Sequence, residues 1–260
     1  MTPHRRDFDA LVGEAERAPI GGWDFGWLDG RAVEDRPTWR YFDRVAERAA
    51  AVGRLLEVQA GVGSMIGKLP RLPQLPGLSV ATEGWPPSVA VAAPRLRARG
   101  VHLLVASQER QDLPFAGGTF DLVISRHPIS IRWDEIARVL RPGGTYFAQH
   151  VGPDSLRSLS EALMGPLPGG TSRDPEVEGS AAESAGLVVR TMRVERPRTA
   201  FHDIGAVVFF LRLVPWIVPG FTVDRYRDAL HRLHDAIERD GSFETTAART
   251  LVEATKPPSS

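Results

Sequence analysis

The chain of 260 residues contains no cysteine. That absence removes disulfides, thiolate metal sites and cysteine nucleophiles together, and it suits a reducing cytoplasm. Charge imbalance is missing too: 32 Lys and Arg stand against 32 Asp and Glu, a formal net charge of zero. A general electrostatic grip on nucleic acid is therefore not expected, although a local basic face stays open. Long apolar runs are also absent. The most apolar stretch, Ile204–Val218, carries Arg212 and Pro215 and is too short to span a bilayer. The polar, basic start, Met1–Arg6, leads into no apolar segment, so no secretory signal is expected.

What is present is an alternation of strand and helix patterns. Phe8–Glu16 and Pro37–Ala51 read as helices, the second through Trp39, Phe42, Val45 and Ala46. Arg54–Val58, Leu78–Thr82, Val101–Ala106, Thr119–Ser125 and Thr145–His150 read as strands, with helices predicted at Val89–Arg99 and Trp133–Leu140 between them. The tail adds a strand at Leu187–Glu195, an apolar helix at Asp203–Leu213, an amphipathic helix at Val223–Arg239 and a last strand at Thr250–Ala254. Gly165–Gly179, rich in Pro, Gly and charge, reads as a mobile loop. Such alternation predicts a mostly parallel sheet of seven strands with helices on both faces, a Rossmann-like α/β fold. Residues 1–52 are expected as an N-terminal helical or lid segment and 53–260 as the main domain, with a cap insertion at about 203–240.

In such sheets ligands bind at the carboxyl ends of the strands, where the strand order reverses. That edge should collect Glu57–Gly63, Glu83, Ala106–Glu109, Ser125–His127 and His150. Gly61 and Gly63 follow the first strand of the series, where glycine permits positive φ and close backbone approach to a ligand. Two glycines in a turn also serve a purely structural purpose. Glu83 ends the next strand about twenty residues on, the place where nucleotide-binding α/β folds put an acid for ribose hydroxyls. Trp85 has two readings, an adenine-stacking ring or a packed aromatic.

The ordered set Leu55–Gly63, Glu83, Leu113-Pro114-Phe115, Phe120-Asp121-Leu122-Val123 and Arg138-Val139-Leu140-Arg141-Pro142-Gly143-Gly144 resembles the class I S-adenosylmethionine (SAM)-dependent methyltransferases of the type 11 group. Flanking pieces, among them Gly22-Trp23-Asp24-Phe25, Ala81-Thr82-Glu83-Gly84-Trp85 and Ala148-Gln149-His150-Val151-Gly152-Pro153, resemble an actinobacterial branch of that group. The resemblance implies SAM as cofactor. It places Glu57, Gln59, Gly61 and Gly63 on the methionyl and ribose side, Glu83 on the ribose, Gln108 and Glu109 toward adenine, and Ser125 at the neighbouring strand end. The group's usual loop is acid-x-Gly-x-Gly-x-Gly. Here Gln59 replaces the first Gly and Val62 lies between the other two, and a β-branched residue is uncomfortable at positive φ.

Methyl transfer from a sulfonium needs alignment more than covalent help. For an O- or N-acceptor bearing a proton, His127 and His150 are the candidate bases, against the plainer reading that both only hydrogen-bond loops. Trp23, Trp27, Arg126, Phe210 and Trp216 are the candidate acceptor contacts, so that a small-molecule acceptor under an apolar cap is expected. Two alternatives are an RNA base methyltransferase and a degenerate SAM-fold binding or partner protein. His231 and His234 lack an accompanying acid, so no metal site is expected.

Overall fold

A computed structural model describes residues 7–67, 75–106, 112–169 and 172–259. In chain order it runs α1 (Phe8–Arg17), β1 (Ala32–Glu34), α2 (Tyr41–Ala50), β2 (Arg54–Glu57), α3 (Ser64–Gly67), β3 (Leu78–Glu83), α4 (Pro86–Arg97), β4 (His102–Val105), β5 (Phe120–Arg126) and α5 (Trp133–Val139). It continues with β6 (Leu140–Val151), α6 (Arg157–Met164), α7 (Pro175–Ser184), β7 (Val188–Glu195), β8 (Arg198–Phe201), α8 (Ile204–Leu213), α9 (Val223–Asp240), β9 (Phe243–Thr246) and β10 (Arg249–Thr255). Contacts divide the described residues into two compact units. The larger draws on 37–153, 172–195 and 249–259, the smaller on 7–36, 154–169 and 196–248.

The larger unit is built on a seven-stranded sheet in the order β4-β3-β2-β5-β6-β10-β7. Strands β2 to β6 pair in parallel, and β10 runs antiparallel to both of its neighbours. Because successive side chains alternate faces, Leu55 and Leu56 enter different cores. One face packs Leu55, Ile124 and Phe147 against Val45 of α2 and Leu96 of α4; the other packs Leu56, Val123 and Tyr146 against Ile136 of α5 and Ala182 of α7. Burial on both faces explains why β5 is apolar almost throughout. The order reverses between β2 and β5, which sets the crevice at their carboxyl ends. The Rossmann-like fold expected from the alternation is the fold observed.

Several motifs that carry the resemblance prove to be braces. Asp121 accepts from the backbone N–H of Gly53 and Arg54 at 2.8 and 2.9 Å and pairs with Arg141 at 2.8 Å. Arg138 donates to the carbonyls of Phe115 and Leu113, while Glu135 accepts from Leu113 N–H at 2.6 Å. The FDLV, LPF and RVLRPGG pieces thus tie loops to the sheet.

The smaller unit joins a three-stranded antiparallel sheet, β1-β8-β9, to α1, α6, α8 and α9. Helix α8, expected as core or cap, is core: eight of its ten residues are buried. Its Gly205 is required, since an added Cβ would lie 2.8 Å from the Leu11 carbonyl oxygen. The boundary between units falls after residue 36, where the sequence placed it after 52, because Tyr41, Val45 and Ala49 of α2 pack in the sheet's own core. Gly165–Gly179 is not loop throughout: Pro175 opens α7, and Asp174 caps it by accepting from Glu176 N–H at 2.8 Å. Strands β1, β8 and β9, each of three or four residues, were too short to show a period.

Candidate functional site

The site residues are set by strand ends of the larger unit. Glu57 closes β2 and is buried, accepting one backbone hydrogen bond from Ile66 at 3.3 Å. Burial pushes its carboxyl up to about 8; Ile66 N–H and Arg126 pull against the rise and Glu83 adds to it. Its neighbour across the reversal is β5, where Val58 N–H donates to the Ile124 carbonyl at 2.9 Å.

Residues 59–61 are bound in turn to the end of β3. Gln59 N–H donates to Thr82 Oγ1 at 3.3 Å, Ala60 N–H to the Thr82 carbonyl at 2.9 Å, and Gly61 N–H to Glu83 Oε2 at 2.7 Å. Glu83 Oε1 accepts from Gly84 and Trp85 N–H at 2.9 and 2.8 Å. An ionised carboxylate offers about four lone-pair sites. Oε1 is therefore filled, and Oε2 keeps one acceptor position for a ligand hydroxyl. Trp85, half-buried, caps α4.

Positive φ in this loop falls at Gln59, Gly61 and Gly63, at 55°, 58° and 67°. The strain expected at Val62 lies instead at Gln59, because the left-handed residues alternate and Val62 is not among them. Gln59 offsets that strain with its amide: Oε1 accepts from Ile129 N–H and Nε2 donates to the Ser130 carbonyl, both at 2.7 Å. A glycine here would relax the backbone and release the loop after β5. Gly63 is confined by packing as well as by φ, since a Cβ would lie 3.1 Å from Leu96 Cγ and 3.3 Å from Ala92 Cβ. Val62 is buried. We expect Val62→Gly to lower stability by about 1–2 kcal/mol through lost burial and added chain entropy, and to leave SAM affinity within about twofold. Denaturant unfolding and a SAM titration of the variant check both; a large gain in affinity would mean that Val62 obstructs the loop.

The end of β5 carries Ser125, Arg126 and His127. The Ser125 carbonyl accepts from Tyr41 OH at 2.9 Å, and Arg126 is exposed, 5.5 Å from the Phe42 ring centre. His127 has φ of 56° and is held by Gln149 twice: backbone N–H to the Gln149 carbonyl at 2.7 Å, and Nε2 to Gln149 Nε2 at 3.0 Å. Gln149 Oε1 accepts from Trp39 Nε1 at 2.8 Å. Burial first, then the charges of Arg126 and Arg249, hold the His127 imidazole well below its usual value.

His150 is buried, its Nε2 is 2.8 Å from Tyr146 OH, and burial pushes its pKa down to about 3. It follows the Tyr146 and Ala148 side of β6, so it shares no hydrogen bond with His127. Sequence reading singled out His150 and passed over Gln149, Trp39 and Tyr41. Strand alternation was the available signal, because neighbours on β6 face opposite sides and only Gln149 meets the His127 ring. Gln108 and Glu109 lie outside the described residues.

Within the smaller unit, Trp23 meets Trp216 edge to face at 5.3 Å, Trp27 stacks on Phe209 at 4.7 Å and Phe210 lies 5.4 Å from Phe201. Trp216 remains 55% exposed, the most open of these six rings. His231 stacks on Phe8 at 3.7 Å, and no cluster of three or more His, Cys, Asp or Glu suited to a metal occurs among the described residues. No helix among them is long and apolar enough to cross a membrane.

These features fit SAM on the chemistry of the donor set. One acceptor position remains on Glu83 for a ribose hydroxyl. A buried, poorly paired carboxyl at Glu57 would be relieved by a neighbouring cation, and SAM carries an ammonium and a sulfonium.

Residues 56–148 match the family described as "Methyltransferase domain". The chain therefore carries an enzyme domain, a methyltransferase domain of the Rossmann-like architecture. It is 28% identical over 183 residues to a malonyl-[acyl-carrier protein] O-methyltransferase of Laribacter hongkongensis, a match spanning 63% of this chain and 59% of that protein's length. Among solved structures, YcgJ of Bacillus subtilis superposes with a TM-score of 0.57 at 15% identity, covering 85% of this chain and all of its own. The [4+2]-cyclase SpnF superposes at 0.51 and 19% identity, over 97% and 93%. At these identities the structural likeness speaks to fold alone.

Proposed function

We propose that this protein transfers a methyl group from SAM to a small-molecule acceptor, with oxygen as the favoured acceptor atom and nitrogen second. When bound, SAM supplies a methyl group already activated on sulfur. The observation that carries the reading is the pair of buried acids, Glu57 and Glu83, at adjacent strand ends with the Gly61–Gly63 turn between them. Glu83 holds the turn and offers Oε2 to the ribose; Glu57 sits beside the methionyl cation; Gly61 and Gly63 let the backbone close on it; Trp85, Gln108 and Glu109 serve the adenine side. Gln59 fixes the segment after β5 against the cofactor turn, so that alignment of the acceptor is built into the scaffold. Arg126 and His127 receive the acceptor's polar end. A cytoplasmic site of action belongs to the same proposal and rests on the cysteine-free composition.

The relative named for a malonyl thioester supports an oxygen acceptor. Zero net charge weighs against RNA, and neither RNA nor a non-catalytic role has an observation of its own in its favour. Radiolabelled methyl transfer from SAM to malonyl-N-acetylcysteamine, and to a set of small carboxylic acids, phenols and amines, tests the reading. Labelling of at least one small acceptor is expected. Labelling confined to structured RNA and abolished by salt would overturn the small-molecule assignment.

A further inference from the structure

The ring of His127 has its hydrogen-bonding direction fixed by a chain of donors. An indole N–H can only donate, so Trp39 Nε1 turns Gln149 Oε1 toward itself. The Gln149 amide nitrogen then faces His127, and an amide nitrogen can only donate. His127 Nε2 is therefore an acceptor carrying no proton, and the neutral ring bears its proton on Nδ1. This assignment rests on donor chemistry, independent of any hydrogen position. The backbone adds a second anchor: His127 N–H donates to the carbonyl of the same Gln149, and φ of 56° is held by that double attachment.

A ring so held has no lone pair left for a substrate proton. The charges of Arg126 and Arg249 also bear on it. Their field and the ring's burial both oppose an imidazolium here. With His127 Nε2 occupied by Gln149 and Nδ1 carrying the proton, an acceptor served by this ring must arrive already deprotonated.

We propose that His127 is not a base but a fixed Nδ1–H donor to the methyl acceptor, that Trp39 and Gln149 are its positioning residues, and that the acceptor is a carboxylate. The inference rests on the methyl-transfer reading above and narrows it. Its chemistry balances without a base. One carboxylate oxygen forms the O–CH3 bond as the donor's S–CH3 bond breaks, and the bonding pair stays on sulfur. An anion and a sulfonium become an ester and a thioether, and no proton is released. The second carboxylate oxygen accepts from His127 Nδ1–H.

Nitrogen-15 NMR of histidine-labelled protein bound to S-adenosylhomocysteine tests the tautomer. His127 should show a protonated Nδ1 and an unprotonated Nε2, with the signal assigned by its loss in His127→Asn. Binding of malonyl-N-acetylcysteamine to the same complex tests the donor role, with its methyl ester as the uncharged control. The acid should bind and the ester should not. His127→Ala should weaken the acid by about tenfold, the worth of one hydrogen bond to a charged group, and His127→Asn, whose amide N–H stands near the place of Nδ1–H, should recover most of that loss. At saturating SAM the methyl-transfer rate should be flat from neutral to alkaline pH. A proton on Nε2, failure of the acid to bind, equal binding of the ester, or a rate that climbs with pH and is lost equally in both variants would overturn the proposal. Absence of S-adenosylhomocysteine binding by the unaltered protein overturns the methyl-transfer reading itself and is seen first.

Discussion

Glu83→Ala is expected to weaken SAM binding by about a hundredfold and to lower thermal stability as well. The carboxylate has two tasks at once. It offers one remaining acceptor position to a ribose hydroxyl, a charge-assisted bond of roughly 1.5–3 kcal/mol. It also receives the N–H groups of Gly61, Gly84 and Trp85, so its removal leaves three backbone donors unpaired and frees the cofactor turn. The apo protein should lose roughly 1–3 kcal/mol, read as a fall of several degrees in Tm for a chain of this length. Glu83→Gln keeps acceptor capacity on one oxygen only and should fall between the two. Titration calorimetry and thermal melts of the three proteins decide the matter. Unchanged affinity with a lowered Tm would assign Glu83 to structure alone, and unchanged values of both would remove it from the site.

The second large effect is a pH dependence. A carboxyl raised from 4.5 to about 8 binds a proton in the folded state that the unfolded chain has already released. Between those values the folded state holds more protons, so Glu57 makes stability fall as pH rises. The buried imidazoles act in the opposite sense. His127 and His150 are held neutral below the usual histidine value, so stability falls as pH drops beneath about 6.5, where the unfolded chain takes up protons. Above that point the histidine contribution fades and Glu57 outweighs it. The apo protein should therefore be most stable near pH 6.5 and lose roughly 1 kcal/mol in all between pH 6.5 and pH 8. A SAM ammonium or sulfonium beside Glu57 stabilises its ionised form. Saturating SAM should flatten the alkaline limb, and binding near pH 7 should release a fraction of a proton. Glu57→Gln should flatten the limb without ligand. Urea unfolding at three pH values checks the slope; stability that rises from pH 6.5 to 8 would show that Glu57 is ionised in the apo fold.

The fold was legible because both halves of its pattern are strong. Strands buried on two faces read as apolar runs, and the helices between them read by their period, so the parallel sheet and its reversal between β2 and β5 followed. The smaller unit was legible only in its helices, because β1, β8 and β9 are too short to display alternation. At the site, Glu57, Glu83 and the two glycines were readable from their places after strands. What escaped were polar side chains that act through distant partners. Gln59 looked like a lost glycine and is a clamp on residues 129 and 130; Trp39 looked like helix periodicity and orients Gln149. Spacing along the chain carries no trace of such pairings, which exist only once the sheet has brought residues 39, 127 and 149 together.

The most direct test of the account is a calorimetric titration of the intact protein with SAM and with S-adenosylhomocysteine, repeated on Glu83→Ala. The account requires saturable one-to-one binding of both ligands, accompanied by proton release at pH 7 and sharply weakened in the variant. Absence of binding to the unaltered protein at millimolar ligand would contradict it.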